Sequence, residues 1–410
     1  IRHIFETHRN EDYVIGSLDL ARRTGATIHH GQAMDFAYGE PVTDGDSFEI
    51  GSLQLCVLET PGHTLESISL VIVDRSTGET PVGVFTGDAL FVGDVGRTDF
   101  FPDRAREVAG MLYDSIFEKI LPLGDQTILY PAHGAGSVCG DSMASREFST
   151  LGHERLHNPA LQHTERDDFI EYKLAEHHNQ PAYFRRMEEY NKKGAPPMPV
   201  LPVAPPLSPD DVEAARDAGA LLVDLRSPEA IAGASIPGSL AIPLDMLSAY
   251  AGYLIDYDYD LVFIPEEITD VSIAVRHLIR MGYDRFAGYL KGGLHTWEVS
   301  GRAYEQIPAV HAGDLDARLK QHEEFILLDV RKAVEFKTQR VSGAQHIFLG
   351  ELQDRLDEIE KGKPIITFCG SGVRAIIAAS ILKRHGFEHV ENSLGSMEAC
   401  EKIGCSLEKG

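Results

Sequence analysis

The sharpest chemical pattern in the sequence is a cysteine between a predicted strand and a predicted helix. The apolar segment "PIITF" predicts a buried strand that ends at Phe368, directly before Cys369. The turn "GSG" lets successive backbone N–H groups point inward around the sulfur, next to the N-terminus of the following helix. Such donors stabilise a thiolate, a persulfide or a sulfur oxyanion. The predicted cradle consists of Gly370, Ser371, Gly372 and Val373.

Arg374 would add a fixed positive charge at the rim of this cradle. An isolated cysteine is more often an inert buried residue, so an inert Cys369 before an ordinary helix start is the alternative. The combination of strand, cysteine, glycine turn, arginine and helix favours a catalytic pair. In that pair Cys369 is the nucleophile, and Arg374 attracts an anionic substrate.

A second set of residues has the types and the placement of metal ligands. Imidazoles and carboxylates suit hard or borderline metal ions, and ligands at strand ends converge on a rigid scaffold. Solvation is the usual explanation of a single surface histidine, but four such elements in this order favour a site. The residues are His8 and Asp12 in "ETHRNEDYVIG", His63 in "TPGHT", Asp88 in "FTGDALFVGDVGRTD" and His133 in "LYPAHGAGSVCG".

Length and charge set limits on the protein that must position these residues. A chain of 410 residues is long enough for two or three domains, each with its own core. The formal net charge of -25 argues against nucleic acid or an anionic membrane as a partner. No apolar run approaches the roughly 18 residues that span a bilayer. Five widely spaced cysteines predict a reducing, cytoplasmic location without a disulfide framework.

The second half of the chain contains an internal repeat. The segment "LLVDLRSPEAIAGASIPGSLAIPL" from Leu221 resembles "ILLDVRKAVEFKTQRVSGAQHIFL" from Ile326. A period of about 105 residues is the length of a small domain and too long for a solenoid, so it predicts a tandem duplication. Apolar strands alternate with helical stretches in each copy, which predicts parallel sheets flanked by helices. In the first copy, Pro265 and Asp270 stand at the positions of Cys369 and Arg374.

The cysteine loop resembles that of the rhodanese sulfurtransferases. Four residues separate Cys369 from Arg374, whereas the tyrosine phosphatases have one more residue in their loop. The resemblance covers both copies, about half of the chain. It implies that Cys369 carries sulfane sulfur, and that the first copy is catalytically empty because Pro265 cannot act as a nucleophile.

The histidine and aspartate motifs resemble the metallo-β-lactamase superfamily over roughly the first 160 residues. A dinuclear zinc hydrolase of the glyoxalase II type would need imidazoles where this chain has Asn10 and Tyr13. Each of its two metals would therefore lack one imidazole. Persulfide dioxygenases of the same fold bind a single iron, and the residues at their ligand positions are present here as His8, His63 and Asp88.

The resemblance also implies roles for residues around the iron. Asp12 and His133 are expected to contact the ligands, and Tyr13 stands where the family needs no ligand. Arg97 would brace the site or meet an anionic substrate. Cys139 would lie near the iron, or would be buried and inert.

We therefore expect an α/β protein in which an N-terminally incomplete metallo-β-lactamase αββα sandwich precedes two rhodanese-like domains with parallel sheets. The first residues, "IRHIF", predict a strand within a domain, so we expect that some N-terminal sequence of this domain is missing. The expected domains are a dioxygenase domain (1–193), a proline-rich linker (194–209), an inactive rhodanese-like domain (210–307) and an active one (308–410).

The function implied by these resemblances is sulfide detoxification. One Fe(II) per chain, or alternatively zinc, would serve the oxidation of a low-molecular-weight persulfide by O2 to sulfite. The persulfide carrier would be glutathione, coenzyme A, cysteine or a similar thiol, and Cys369 would form or use thiosulfate. We expect a homo-oligomer. The alternatives are a glyoxalase II-like thioesterase and a non-enzymatic sulfur carrier or redox sensor.

Overall fold

A computed structural model of the chain describes residues 1–34, 36–134, 143–176 and 178–409. The chain divides into two units, Ile1–Val200 and Leu201–Gly410. Both units combine strands with helices, which confirms the predicted α/β class. Within the described ranges, no helix is both long enough and apolar enough to cross a bilayer.

The first unit is built on two sheets. Its strands are β1 (His3–Glu6), β2 (Thr27–Gly31), β3 (Glu40–Val42), β4 (Ser47–Ile50), β5 (Leu53–Glu59), β6 (Ile68–Asp74), β7 (Pro81–Gly87), β8 (Ile128–Pro131) and β9 (Ser149–Thr150). The first three form a parallel sheet in the order β1-β2-β3, and the other six form a mixed sheet in chain order. Strands β7 and β8 are parallel, and the other neighbours in the mixed sheet are antiparallel.

Helices cover the outer faces of these sheets. They are α1 (Ser17–Thr24), α2 (Ala105–Tyr113), α3 (Leu151–His157), α4 (Arg166–Leu174) and α5 (Tyr183–Lys193). Helix α2 continues into a π-helical segment (Asp114–Ile120), and short 3₁₀ turns lie at Pro102–Arg104, Leu121–Leu123 and Pro159–Gln162. Helix α1 contacts β1 and β2 of the smaller sheet, whereas α2 and α4 pack together on the side of the larger sheet.

The alternation of side chains along β6 shows how the layers are joined. Ile68 and Leu70 belong to an apolar cluster that includes Val42 of the smaller sheet. Val71 and Val73 belong instead to the large cluster under the helices. Because successive side chains of a strand point to opposite faces, one strand serves both cores. The result is the helix–sheet–sheet–helix arrangement that the sequence predicted.

The second unit contains two similar halves. The strands of the first half are β10 (Pro206–Leu207), β11 (Leu221–Asp224), β12 (Leu240–Ala241), β13 (Leu261–Ile264) and β14 (Phe286–Leu290), and its helices are α6 (Pro209–Asp217), α7 (Pro228–Gly233), α8 (Leu247–Leu254), α9 (Ile268–Arg280) and α10 (Gly293–Val299). A 3₁₀ turn, Leu244–Met246, precedes α8. All neighbouring strands are parallel, in the order β10-β14-β13-β11-β12.

The second half repeats this order. Its strands are β15 (Ala309–Val310), β16 (Ile326–Asp329), β17 (Gln339–Val341), β18 (Gln345–His346), β19 (Ile365–Phe368), β20 (Val390–Ser393) and β21 (Leu407–Lys409), and its helices are α11 (Ala312–Lys320), α12 (Ala333–Thr338), α13 (Val373–Arg384) and α14 (Ser396–Ile403). The parallel sheet has the order β15-β20-β19-β16-β18, and β17 pairs antiparallel with β21. A 3₁₀ segment, Leu349–Glu358, occupies the place of α8.

The two halves also share a buried ion pair, in agreement with the predicted duplication. Asp224 binds Arg226 in the first half, and Asp329 binds Arg331 in the second, each at 2.6 Å between the carboxylate and Nη2. In both halves the same Nη2 also donates to a backbone oxygen eight residues further along the chain. The pair fixes the end of a central strand against the chain that leads to the next strand.

Candidate functional site

The predicted metal ligands of the first unit lie at one edge of the sheet sandwich. His8 follows β1, His63 follows β5, Asp88 follows β7 and His133 follows β8. Strands β5, β7 and β8 run in the same direction, so their carboxyl ends share an edge. The end of β1 reaches that edge because Thr7 accepts a backbone hydrogen bond from Ile68, at the start of β6.

The carboxylate of Asp88 is the centre of this group. Its Oδ2 lies 3.3 Å from Nε2 of His63 and 3.3 Å from Nε2 of His133. Nε2 of His8 lies 3.6 Å from the same oxygen. The same Nε2 of His133 also lies 3.6 Å from Oδ2 of Asp12. The structure therefore brings the predicted ligands His8, His63 and Asp88 together, with Asp12 and His133 beside them.

The polar atoms of this group are buried without hydrogen bonds from the described part of the chain. Two ligand atoms about 2.1 Å from one ion lie roughly 3.0–3.4 Å apart, which is close to the spacing seen here. Buried polar atoms almost always have partners, so a bound cation is the simplest way to satisfy these atoms. They are His8 Nε2, Asn10 Oδ1, both Glu11 carboxylate oxygens, Asp12 Oδ1, His63 Nε2, both Asp88 carboxylate oxygens and His133 Nε2.

Glu11 is the acidic residue that the sequence interpretation missed. It is fully buried, and its Oε2 lies 3.4 Å from Nε2 of His63. Ligand atoms of His8, Glu11 and His63 all lie within 4.8 Å of one another. The chain thus offers a metal ion two carboxylates, Glu11 and Asp88, beside the same two imidazoles. The available signal was a second acidic residue directly before Asp12.

Hydrogen bonds to the imidazoles orient their metal-facing nitrogens. Nδ1 of His63 lies 3.1 Å from the backbone oxygen of Arg97. A carbonyl oxygen only accepts, so Nδ1 carries the proton and Nε2 keeps a lone pair for a metal. Nδ1 of His8 is 3.0 Å from Oγ1 of Thr7. The donor set therefore fits a divalent cation.

The charges of the cluster also fit a cation. Burial acts to raise the pKa of Asp88, but the surrounding imidazoles hold it below its usual range. Burial acts to lower the pKa of His133, yet Asp88 outweighs this effect and raises it to about 9. Burial acts to raise the pKa of Glu11, and His63 lowers it. Ionised carboxylates in a buried site need positive partners, which a divalent ion would supply in place of protons.

Two side chains hold the irregular segment that carries His8 and Glu11. Asn191 of α5 donates to the backbone oxygens of Asn10 and Tyr13, and its own oxygen accepts from the N–H of Ile15. Glu66 accepts from the backbone N–H of Arg9 at 3.1 Å. The segment is fixed by contacts distant in sequence, and not by regular secondary structure of its own.

The remaining predicted residues of this site take different places. Arg97 is buried and binds Asp99 through Nε and Nη2, at 2.7 and 2.6 Å. The ring of Tyr13 meets that of His133 edge-on, with centroids 6.1 Å apart. Cys139 lies outside the described residues, so its predicted place near the metal stays a prediction.

The second candidate site is the cysteine loop between β19 and α13. The N–H of Gly372 points at Sγ of Cys369, 3.1 Å away, and α13 begins at Val373. Gly372 has a φ of 105°, and a Cβ there would press on the backbone of Leu394 and Ser393, at 3.1 Å. Only glycine suits this position, and the tight turn directs the N–H toward the sulfur.

The guanidinium of Arg374 is held next to this loop by Glu335. Nη1 and Nη2 bind the two oxygens of Glu335 at 2.7 and 2.8 Å. A Cβ added to Gly370 would lie 3.1 Å from Nη2, so the guanidinium is close to the cradle backbone. Burial acts to lower the pKa of Arg374, and Glu335 raises it, so the guanidinium stays charged. The sequence did not single out Glu335, which comes from α12.

The corresponding loop of the first half is closed by its own carboxylates. Pro265 takes the place of the cysteine, and Glu267 and Asp270 cap α9 reciprocally. Oδ2 of Asp270 accepts from the N–H of Glu267 at 2.7 Å. The helix N-terminus that would hold an anionic sulfur is therefore already occupied by protein carboxylates.

Comparisons with known proteins find similarity to rhodanese-like domains and to a metallo-beta-lactamase. The Rhodanese-like domain family matches residues 208–300 and 311–402. Among solved structures, a metallo-beta-lactamase from Staphylococcus aureus subsp. aureus COL is similar, with a TM-score of 0.62 and 31% sequence identity. That similarity covers 71% of this chain and 84% of the other chain.

Curated relatives match a smaller part of the chain. An uncharacterized protein of Mycobacterium leprae is 39% identical over 119 residues, which are 29% of this chain and 45% of that protein. The mitochondrial persulfide dioxygenase ETHE1 of Mus musculus is 35% identical over 160 residues, 38% of this chain and 54% of that protein. The chain thus spans about half the length of these relatives.

Proposed function

Because the chain belongs to the metallo-β-lactamase family and carries two rhodanese-like domains, we propose that it is a persulfide dioxygenase joined to a sulfurtransferase. The observation that carries this proposal is the convergence of His8, His63 and Asp88, although the imidazoles of a dinuclear site are missing at Asn10 and Tyr13. Two imidazoles and one carboxylate are the ligand set of mononuclear non-haem iron oxygenases.

In the first site, the proposed reaction converts a persulfide, O2 and water into a thiol, sulfite and two protons. His8, His63 and Asp88 would hold one Fe(II), which supplies open coordination positions for a sulfur ligand and for O2. His63 is kept in the metal-binding tautomer by the Arg97 carbonyl. His133 would orient the Asp88 carboxylate, and Asp12 would orient His133.

In the second site, Cys369 would exchange sulfane sulfur. Its thiolate attacks the outer sulfur of thiosulfate, the sulfur–sulfur bond of thiosulfate breaks, and sulfite leaves with the electron pair. The Cys369 persulfide then passes this sulfur to an acceptor thiolate, which forms a small-molecule persulfide. The reverse sequence would make thiosulfate from sulfite. Gly372 stabilises the sulfur by its N–H group, and Arg374 adds positive charge.

A dinuclear hydrolase is the second candidate, and one observation favours it. Asp88, His133 and Asp12 form a chain of contacts at 3.3 and 3.6 Å that resembles half of a second metal site. An assay of the purified protein distinguishes the hydrolase from the dioxygenase. The protein is given a glutathione thioester in one reaction and a glutathione persulfide in another. We expect O2-dependent loss of the persulfide and no thioester hydrolysis. Hydrolysis without O2 uptake, with two zinc ions per chain, would favour the hydrolase.

Glu11 should contribute to metal affinity in this account. We expect Glu11→Gln to weaken metal binding by about 10- to 100-fold, because a buried carboxylate beside His63 is lost while the side-chain shape is kept. Competition with a chelator measures this affinity. Glu154→Gln is the matched control, since Glu154 is equally buried but binds Gly93 and Asn158. If Glu11→Gln binds the metal with the same affinity as the wild type, Glu11 does not contribute to metal binding.

The wider setting is part of the same proposal. We assign residues 1–193 to the dioxygenase, 194–209 to a linker, 210–307 to an inactive rhodanese-like domain and 308–410 to an active one. The partners would be a persulfide of glutathione, coenzyme A, cysteine or a similar thiol, together with O2, sulfite and thiosulfate. We further propose a cytoplasmic homo-oligomer that acts in sulfide detoxification.

A further inference from the structure

The start of helix α14 is bonded directly to the cysteine loop. The backbone oxygens of residues 369–371 accept from backbone N–H groups of the segment 395–398, at 3.1, 3.0 and 2.9 Å in that order. The N–H of Cys369 donates to Oγ of Ser396 at 3.1 Å. The same hydroxyl donates to the backbone oxygen of Ser393, at the end of β20, at 2.6 Å. Both backbone groups of Cys369 are therefore bound by the first turn of α14.

Ser396 has a backbone conformation that serine rarely adopts. Its φ is 38°, and it is one of two residues other than glycine with a positive φ in the described part of the chain. Its side chain is fully buried. A left-handed conformation is strained for residues other than glycine, and such strain is found most often at functional sites. Because glycine would adopt this φ without strain, the hydroxyl is what the serine adds here.

The first half of the second unit has the same turn without the serine. Helix α10 begins at Gly293 as α14 begins at Ser396, and the φ of Gly293 is 62°. A Cβ added to Gly293 would lie 3.2 Å from the backbone oxygen of Pro265, which stands at the position of Cys369. Proline has no N–H, so this half has no donor for a hydroxyl at the helix start. The N–H and the hydroxyl that accepts from it thus occur together in the second half, and the first half lacks both.

We propose that Ser396 is a positioning residue of the Cys369 site and acts through the backbone of the cysteine. The inference rests on the proposed sulfur transfer at Cys369. The hydroxyl of Ser396 fixes the N–H of Cys369 against the end of β20, while the N–H of Gly372 approaches Sγ at 3.1 Å. With its backbone held in this way, Cys369 keeps its sulfur in the position where the loop N–H stabilises it. Loss of the hydroxyl should let the sulfur leave that position.

A simpler role for Ser396 would be to satisfy a buried N–H group without any effect on the sulfur. Ser380, inside helix α13, provides the comparison for this role. Its hydroxyl accepts from the N–H of Ala241 at 2.9 Å and donates to the backbone oxygen of Ile377 at 2.8 Å. Ser380 is buried as well, and none of these partners belongs to the cysteine loop. Ser380→Ala therefore shows what the loss of such a hydroxyl does to stability alone.

The test compares the full-length wild-type protein with Ser396→Ala, Ser396→Gly and Ser380→Ala. Cys369 is alkylated with iodoacetamide, and mass spectrometry of the Cys369 peptide gives the rate constant. We expect both Ser396 variants to lower this rate constant about 5-fold or more, because each lacks the hydrogen bond to the cysteine N–H. Ser380→Ala should keep the wild-type rate constant.

Thermal melting separates the effect on reactivity from the effect on stability. Ser396→Gly should melt at a higher temperature than Ser396→Ala, since glycine adopts the positive φ without strain. The two variants should nevertheless lose the same reactivity. If Ser396→Ala does not fold, Ser396→Gly decides the test. Alkylation of Ser396→Gly at the wild-type rate or faster overturns the inference, and so does an equal loss of reactivity in Ser380→Ala.

Steady-state sulfur transfer from thiosulfate to cyanide provides the second measurement. Ser396→Gly should lower kcat about 5-fold or more with a smaller change in the KM for thiosulfate, because Arg374 keeps its hydrogen bonds to Glu335. A rise in KM with an unchanged kcat would overturn the inference. Alkylation needs no turnover, so a wild type without sulfur transfer whose alkylation still depends on Ser396 would contradict the proposed function alone.

Discussion

Replacement of Asp88 by alanine is expected to abolish both metal binding and O2 uptake. Asp88 is the one carboxylate in contact with all three imidazoles of the cluster, and its loss removes a ligand from the proposed iron site. Loss of a directly bound carboxylate should lower metal affinity by at least about 100-fold, more than the loss of an outer partner. Elemental analysis of anaerobically purified protein measures the metal content, and we expect about one iron per wild-type chain and none in Asp88→Ala.

Asn10→Ala is the control for this experiment. Asn10 occupies a position where a dinuclear site needs an imidazole, and it is buried near the ligands, but its amide is not one of the three proposed iron ligands. We expect this variant to retain one iron per chain. Two tightly bound zinc ions in the wild type, or one iron in Asp88→Ala, would contradict the mononuclear assignment.

Replacement of Cys369 by serine is expected to separate the two activities. Sulfur transfer from thiosulfate should fall on the order of 10³-fold or more, because a serine alkoxide is far less accessible than a stabilised thiolate. Oxidation of a free glutathione persulfide should continue at the wild-type rate, since no proposed iron ligand has changed. The measurement is O2 uptake and sulfite release from each sulfur source. With thiosulfate and a thiol as the source, only the wild type should make persulfide and consume O2.

A second cysteine variant controls for the general effect of the substitution. Cys56 lies in β5 of the first unit and belongs to neither proposed site. Cys56→Ser should therefore retain both activities. If Cys369→Ser no longer oxidises the free persulfide while its iron content stays normal, Cys369 takes part in the oxygenation. The assignment of the two activities to two independent sites would then be wrong.

Sequence patterns predicted the central strands of the second unit and the start of helix α13, because these elements have strong local signals. The apolar segments "LVFI" and "PIITF" are the central strands β13 and β19, and α13 begins at Val373, where the glycine turn ends. The repeated Asp-x-Arg pattern corresponds to the same buried ion pair in both halves. Short buried strands that end at a proline or before a glycine turn leave few alternatives, so the local pattern was sufficient here.

The full set of residues in the first site was harder to predict from the sequence. The motif spacing identified His8, His63 and Asp88, because each follows a strand that ends at the same edge of the sandwich. It did not identify Glu11, whose direction depends on how an irregular segment is held by Asn191, far away in the chain. Hydrogen bonds between distant residues have no local sequence signal.

The surroundings of Arg374 show the same limit for the second site. Its predicted place beside Cys369 followed from the loop, and its proximity to Gly370 agrees with this. Glu335 lies on another element, helix α12. Its approach to Arg374 results from packing between helices, which a motif of a few residues cannot encode. Sequence reasoning therefore gave Arg374 as a free anion-attracting charge, whereas the structure shows it bound to a carboxylate.

The most direct test of the central claim is the amount of sulfite formed per O2 consumed by iron-loaded protein with a glutathione or coenzyme A persulfide. The proposed reaction uses one O2 for each persulfide and releases one sulfite and one thiol. We predict a ratio of sulfite to O2 near one, with no turnover in Asp88→Ala. Persulfide loss without O2 uptake, or O2 uptake without sulfite, would contradict the assignment of this chain as a persulfide dioxygenase.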